Sequence, residues 1–549
     1  MKINYTVKLK TPALTASLGI IGKDIDVVVK VDSEGKPFFN GKHIKGILKE
    51  RVTQFKLGLG ESKEETKEFT DKYFGKEGNY IKVNNFDKIR FSNLVLVDKE
   101  KYSIDDRYGI KIDRKTRTTV HNSLFRYEHI TAGTEFKGDI EVPDKIDRED
   151  LKFILACLFH LDTIGGFKSR GIGKVDVFIK ERELKYKENK EQEDIFDKII
   201  YDVCNKDSNK ENSKATLNGK VKKYSYTLSL KEPFILTGRE IGNYVEVRDS
   251  IQGSTVRGAM IEYFAKSKDV SLEDLLCIEA SDATSGDISL ASKFITKYPI
   301  NKKNKKEAEK VEIDRVIDSR TEIKDEVKEK GVKLERKGTS MLKAKGNEIS
   351  IAINSQTKSV EDGMLFNSEY LQCDEKLIGD IILPEGLVDE NKNYTIYLGK
   401  MKSKGFGKAV ITFGKYEKER ANLKARIEKL QKQANEKILT FDLQSDLILP
   451  FNTIYNVGEQ FKTLVGISEL KFKENKSYIN TGKLGGYNII NNIRKVDELV
   501  ITRGSVLTYK IDDFNSILPK LEEIEEKGLG LRKNEGFGRV KISSERGEK

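Results

Sequence analysis

The stretch 164-IGGFKSRGIGKV-175 recurs twice, as 398-LGKMKSKGFGKAV-410 and 529-LGLRKNEGFGRV-540. Each copy has glycine, a few basic or polar residues, then Gly-hydrophobic-Gly-Lys/Arg. Glycine reaches φ > 0 and lets a ligand approach the main chain. Exposed backbone N–H groups beside Lys and Arg would suit a phosphate. The pattern is not a Walker A, because Val175, Ala409 and Val540 stand where Ser or Thr would hold a metal. Nor is it a dinucleotide fingerprint, since a Val-rich strand follows rather than a helix. The plainer alternative is a tight turn before the last strand of a unit. Three copies point to a repeated fold.

Working outward, two of the units repeat further. In 41-GKHIKGILKERV-52 and 253-GSTVRGAMIEYF-264, Gly41/Gly253, Lys45/Arg257 and Gly46/Gly258 correspond. Likewise Phe125/Phe366, Glu128/Glu369, Gly138/Gly379 and Asp139/Asp380 correspond in 124-LFRYEHITAGTEFKGDI-140 and 365-LFNSEYLQCDEKLIGDI-381. Ordered anchors of this kind mark an internal duplication. The expected organisation is a unit over 1–183, a polar linker over 184–221 with a short helix at 194–204, and a second unit over 222–414. A connecting helix over 415–439 and a third unit over 440–549 follow. The third shares with the others only the loop and a preceding helix, 516–528. Alternation predicts a strand over 3–10, and apolar spacing predicts helices over 42–56 and 148–163. The Lys/Glu-rich stretch 300–345 reads as a solvated insertion or mobile arm, with a specific RNA contact as the alternative.

Composition excludes several classes. The chain has 549 residues, 34% charged and 37% hydrophobic, with net charge +12. That mild basic excess suits a polyanionic partner. Its four cysteines lack C-x-x-C spacing, so neither a zinc site nor a disulfide framework is expected. No apolar run reaches the roughly 18 residues of a membrane span, and the N-terminus lacks a signal-peptide core. A cytoplasmic protein without a membrane partner is the expectation.

These features resemble the RAMP superfamily of CRISPR-associated proteins. The resemblance implies an α+β fold of tandem ferredoxin-like (RRM-like) domains with insertions and Gly-rich loops. The first unit resembles the backbone subunit of type III effector complexes, which coats guide RNA and cleaves target RNA. In that family one aspartate precedes another by six residues, as Asp26 precedes Asp32, ahead of a helix like 41-GKHIKGIL-48. The turn after Asp32 is shorter here and no serine follows Gly41. Residues 236-LTGREIGNYVEVRDSIQGSTVRGAM-260 resemble the cap subunit of type III-D systems, which holds the five-prime handle of the guide. The chain thus looks like a fusion of backbone and cap subunits. Its implied partners are crRNA, target RNA, other backbone RAMP subunits and the large polymerase/nuclease-like subunit.

Cleavage at a 2′-OH needs an activated hydroxyl and stabilised phosphate charge. The resemblance makes Asp26 the catalytic candidate and the ligand of a divalent cation such as Mg2+, with Asp24 as the alternative; no organic cofactor is expected. Fifteen residues before Gly253 stands Gly238, so the second unit lacks the carboxylate and reads as a binding module. Candidate RNA contacts are Lys45, Arg114 and Arg117; Lys168, Ser169, Arg170, Gly171 and Gly173 in the first loop; and Arg239 and Arg257. Lys402, Lys404, Gly405, Gly407 and Lys408 follow in the second loop, and Arg532, Lys533, Gly536, Gly538 and Arg539 in the third. Two alternatives compete: a non-catalytic RNA scaffold, and a crRNA-processing endoribonuclease. The four unpaired histidines argue against the latter.

Overall fold

Three antiparallel sheets share one strand order in the computed structural model of this mixed helix-and-sheet chain. The structure describes all residues except 1, 19–24, 33, 76–87, 111, 114, 122, 144–145, 180–219, 242–243, 249, 268–269, 272, 286–289, 302–303, 318–332, 337–343, 354–359, 373–375, 417–421, 451–454, 489–492 and 547–549. The linker helix expected at 194–204 lies outside the described residues, as does Asp24.

In the first unit the sheet runs Arg90–Phe91, Glu135–Glu141, Lys2–Leu9, Val175–Ile179. In the second it runs Glu279–Ala280, Leu377–Pro384, Val221–Leu230, Lys408–Lys415. In the third it runs Lys471–Phe472, Val506–Lys510, Ile438–Leu443, Val540–Ile542. The third unit therefore shares a four-strand order with the other two, more than the loop and helix expected from the sequence. Pairing register carries this likeness, and register leaves little trace in residue identity. Strand Lys2–Leu9 buries Ile3, Tyr5, Val7 and Leu9 on one face, as its alternation requires. Both faces of Ile438–Leu443 are buried.

The duplication anchors occupy matching places. Helices Gly41–Gly58 and Gly253–Ser267 both open on the paired glycines. A Cβ at Gly138 would meet Tyr5 Oη at 3.1 Å, and one at Gly379 would meet Tyr226 Oη at 2.5 Å. Glycine there admits a buried tyrosine from the neighbouring strand. Glu128 accepts the Val29 N–H at 2.9 Å, and Glu369 the Val247 N–H at 3.1 Å.

Some boundaries differ from expectation. The 415–439 helix spans only Leu423–Ala434, because Asn422 caps its start and Asn435 closes it in the left-handed conformation. The 148–163 helix ends at Phe159, and the 516–528 helix spans Leu518–Lys527. In the second unit a strand, Asn393–Tyr397, stands before the loop where the other units have a helix. The charged insertion contains a sheet in which Lys293–Asn301 pairs with Asn304–Asp314 and with Lys333–Arg336. No described helix is long and apolar enough to cross a membrane.

Candidate nucleic-acid interface

The three Gly-rich loops have one backbone. Positive φ recurs at Gly165, Phe167, Gly171 and Gly173; at Gly399, Met401, Gly405 and Gly407; and at Gly530, Arg532, Gly536 and Gly538. The last glycine of each set is sterically obligatory. A Cβ would meet the carbonyl of Ile164 at 2.0 Å, of Leu398 at 2.1 Å, or of Leu529 at 1.7 Å. Its N–H donates to Pro12 O, Pro233 O or Asp446 O, at 2.7, 2.8 and 2.8 Å. Gly171 N–H donates to Lys168 O and Gly536 N–H to Lys533 O. These glycine amides are spent inside the fold and are not offered to an anion.

Two of the loops are covered by the preceding unit. Lys42 N–H donates to Lys404 O at 2.8 Å, and a Cβ at Gly405 would meet Asn93 Oδ1 at 2.1 Å. That Oδ1 accepts the first N–H of the helix at Gly41, at 2.8 Å. One unit on, Asp282 Oδ1 accepts the Gly253 N–H at 2.8 Å, and a Cβ at Gly536 would meet Ala280 O at 2.6 Å. Burial pushes the Asp282 carboxyl up to about 7. The basic residue ending each loop pairs with the matching aspartate of the unit before: Lys408 with Asp139 at 3.0 Å and Arg539 with Asp380 at 3.3 Å.

Contacts within and between the units consume many of the basic residues expected to face RNA. Lys402 pairs with Glu262 at 2.7 Å, beside Arg90 on the same carboxylate. Lys45 is buried, donates to Ser403 Oγ at 3.0 Å, and is pulled down to about 7 by burial and by neighbouring cations. Arg257 donates to Ile278 O and Leu276 O. Arg532 binds Glu498 and Glu535. Arg117, Lys168, Arg170 and Lys533 are exposed. Arg114 and the side chains of Ser169 and Arg239 lie outside the described residues. Sequence reasoning missed Asn93 and Asp282, since 92-SN-93 and 281-SD-282 are too short to align by identity.

Asp26 is exposed just before strand Val27–Val29. Its Oδ2 accepts the Arg126 N–H at 2.7 Å, and its own N–H donates to Arg126 O at 2.9 Å. Asp32 is a turn residue, its Oδ1 accepting the N–H groups of Glu34 and Lys36. Among the described residues no three His, Cys, Asp or Glu side chains cluster to hold a metal ion. A lone carboxylate still suits Mg2+, which binds through one or two carboxylates and completes its shell with water and substrate phosphates.

Of the histidines, His121 is exposed and His160 is an exposed helix cap. His43 Nε2 accepts the Gly165 N–H at 2.7 Å, fastening the first loop to the first helix. Burial, then Lys168, holds its pKa down to about 4. The neutral ring is therefore the native form. Its contribution is complete above the unfolded value near 6.5 and is lost as pH falls toward 4. Between pH 7.5 and 5 the wild type should lose about 2 kcal/mol that His43→Gln does not, measured by denaturant titration at both pH values.

Residues 6–176 match the model of the RAMP superfamily. No curated protein matches the chain. Among solved structures, a chain of the type III-B Cmr-beta complex bound to cognate target RNA aligns at 12% identity, TM-score 0.26, over 33% of this chain and 97% of that one. A second, with cognate target RNA and AMPPnP, aligns at 14% identity, TM-score 0.31, over 55% and 88%. A chain of a type IV-B CRISPR complex aligns at 11%, TM-score 0.25, over 35% and 95%. By the family match, residues 6–176 of the chain are similar to the RAMP superfamily.

Proposed function

We propose that the chain is a subunit of a type III CRISPR RNA-guided effector complex, built as three tandem ferredoxin-like RAMP domains. It binds crRNA, including the five-prime handle, and cleaves complementary target RNA at one site through Asp26. The observation that carries this reading is the RAMP match over the one unit that has the exposed Asp26. Asp26 would hold a divalent cation together with RNA phosphates, and the ion would supply charge stabilisation at the scissile phosphate. The Arg126 backbone clasp fixes the carboxylate's position. Exposed Arg117 and Lys533 would meet the RNA backbone, which sets register without reading sequence.

The test is whether the chain, purified from the assembled complex, carries RNA of discrete length with a common five-prime end. Heterogeneous RNA, or none, would overturn the reading. Salt dependence adds a finer measurement. Arg117→Ala and Lys533→Ala should each flatten the slope of log affinity against log salt by about 0.7. Lys402→Ala should change that slope less, because Lys402 is half-buried and held on Glu262 rather than presented to RNA.

A further inference from the structure

The second and third Gly-rich loops are buried against a preceding unit, but the first is not. Among the described residues a Cβ at Gly171 would meet nothing within 4 Å, against 2.1 Å at Gly405 and 2.6 Å at Gly536. Gly171 is exposed where Gly405 and Gly536 are buried. Lys174, in the position of Lys408 and Arg539, is exposed where those two are half-buried on Asp139 and Asp380. The backbone of the loop is nevertheless already that of the two docked copies.

We infer that the loop 167–174 is a docking plug for a separate subunit of this same fold. That subunit presents a helix opening on glycine, an Asn or Asp accepting its first N–H, and an aspartate to receive Lys174. The inference deepens the proposed function by naming the face through which the chain joins an assembly.

A second copy of this chain does not fit. Two of its three acceptors, at Gly41 and Gly253, are filled by its own loops. The third is of another kind. The pairs Phe91–Ile140, Ala280–Ile381 and Phe472–Tyr509 set a common register. The next backbone bonds are Ser92 N–H to Asp139 O, Ser281 N–H to Asp380 O, and Lys473 N–H to Thr508 O. The third unit thus has Thr508 where the others have the receiving aspartate, and Lys473 where they have serine. No aspartate stands there to receive Lys174, and Lys473 is itself held on Glu436. The array therefore closes at the third unit and continues from the first, which gives the assembly a direction.

The test places p-benzoylphenylalanine at Ser169 of the full chain, co-expressed with the complex's other subunits. Ser169 matches Ser403, which Lys45 of the covering unit contacts. The photo-crosslinked peptide should come from another subunit and contain a helix opening on glycine. A crosslink to RNA, to a second copy of this chain, or to nothing in the assembled complex overturns the inference. Independently, Lys174→Glu should lower recovered complex more than about tenfold without changing the chain's own melting temperature, and reversal of the partner's aspartate to lysine should restore it. If Lys174→Glu assembles normally with its discrete RNA, the docking inference falls and the proposed function stands. If the wild-type complex forms but holds no such RNA, the functional reading falls and the crosslink still decides the docking.

Discussion

Asp26→Ala in the assembled complex should reduce cleavage of a complementary target by at least about a hundredfold at one position only. Cuts made by other subunits should persist, and guide binding should be unchanged. The side chain is exposed and accepts the hydrogen bond from Arg126 N–H. Asp26→Asn is the sharper variant, because it keeps an acceptor for Arg126 and removes only the charge. It should lose the same cut. Chelation of divalent cations should abolish the wild-type cut and spare guide binding. If Asp24→Ala abolishes the cut while Asp26→Ala spares it, the active carboxylate is two residues earlier. Mapping cleavage products at nucleotide resolution checks all of these. A full set of cuts in every variant would leave the first unit as a scaffold.

Arg546→Ala should give the largest loss of stability, about 3–5 kcal/mol. The Arg546 side chain is fully buried. One guanidinium nitrogen binds Asp314 at 2.9 Å and Ser292 Oγ at 3.0 Å; the other binds Asp442 at 2.6 Å and Thr440 Oγ1 at 2.9 Å. Truncation strands two carboxylates, both nearly or wholly without solvent. The loss should appear in the unfolding transition of the third unit, since a chain of several units need not melt in one step. Adding Asp314→Asn and Asp442→Asn to Arg546→Ala should recover part of it, because the uncompensated charge is what costs. A single Arg546→Ala change that leaves every transition in place would show that this contact does not tie the insertion to the third sheet.

The amino-acid sequence by itself determined the loops, the duplication and the main elements around them. Glycine at φ > 0 and at sub-van der Waals contacts cannot be exchanged, so Gly173, Gly407 and Gly538 persist as a visible pattern. Apolar alternation in Lys2–Leu9 and the glycine-first helices were legible for the same local reason. Only the tertiary structure decided what the basic residues do. Lys402, Lys408 and Arg539 look like Lys168 and Lys174 in the chain, yet the first three are paired with carboxylates over a hundred residues away. A charge's partner depends on how distant elements fold together and on which unit stacks on which, and no local pattern encodes that. The third unit's shared strand order was hidden likewise, because strand order and register are satisfied by backbone hydrogen bonds that nearly any residue can make.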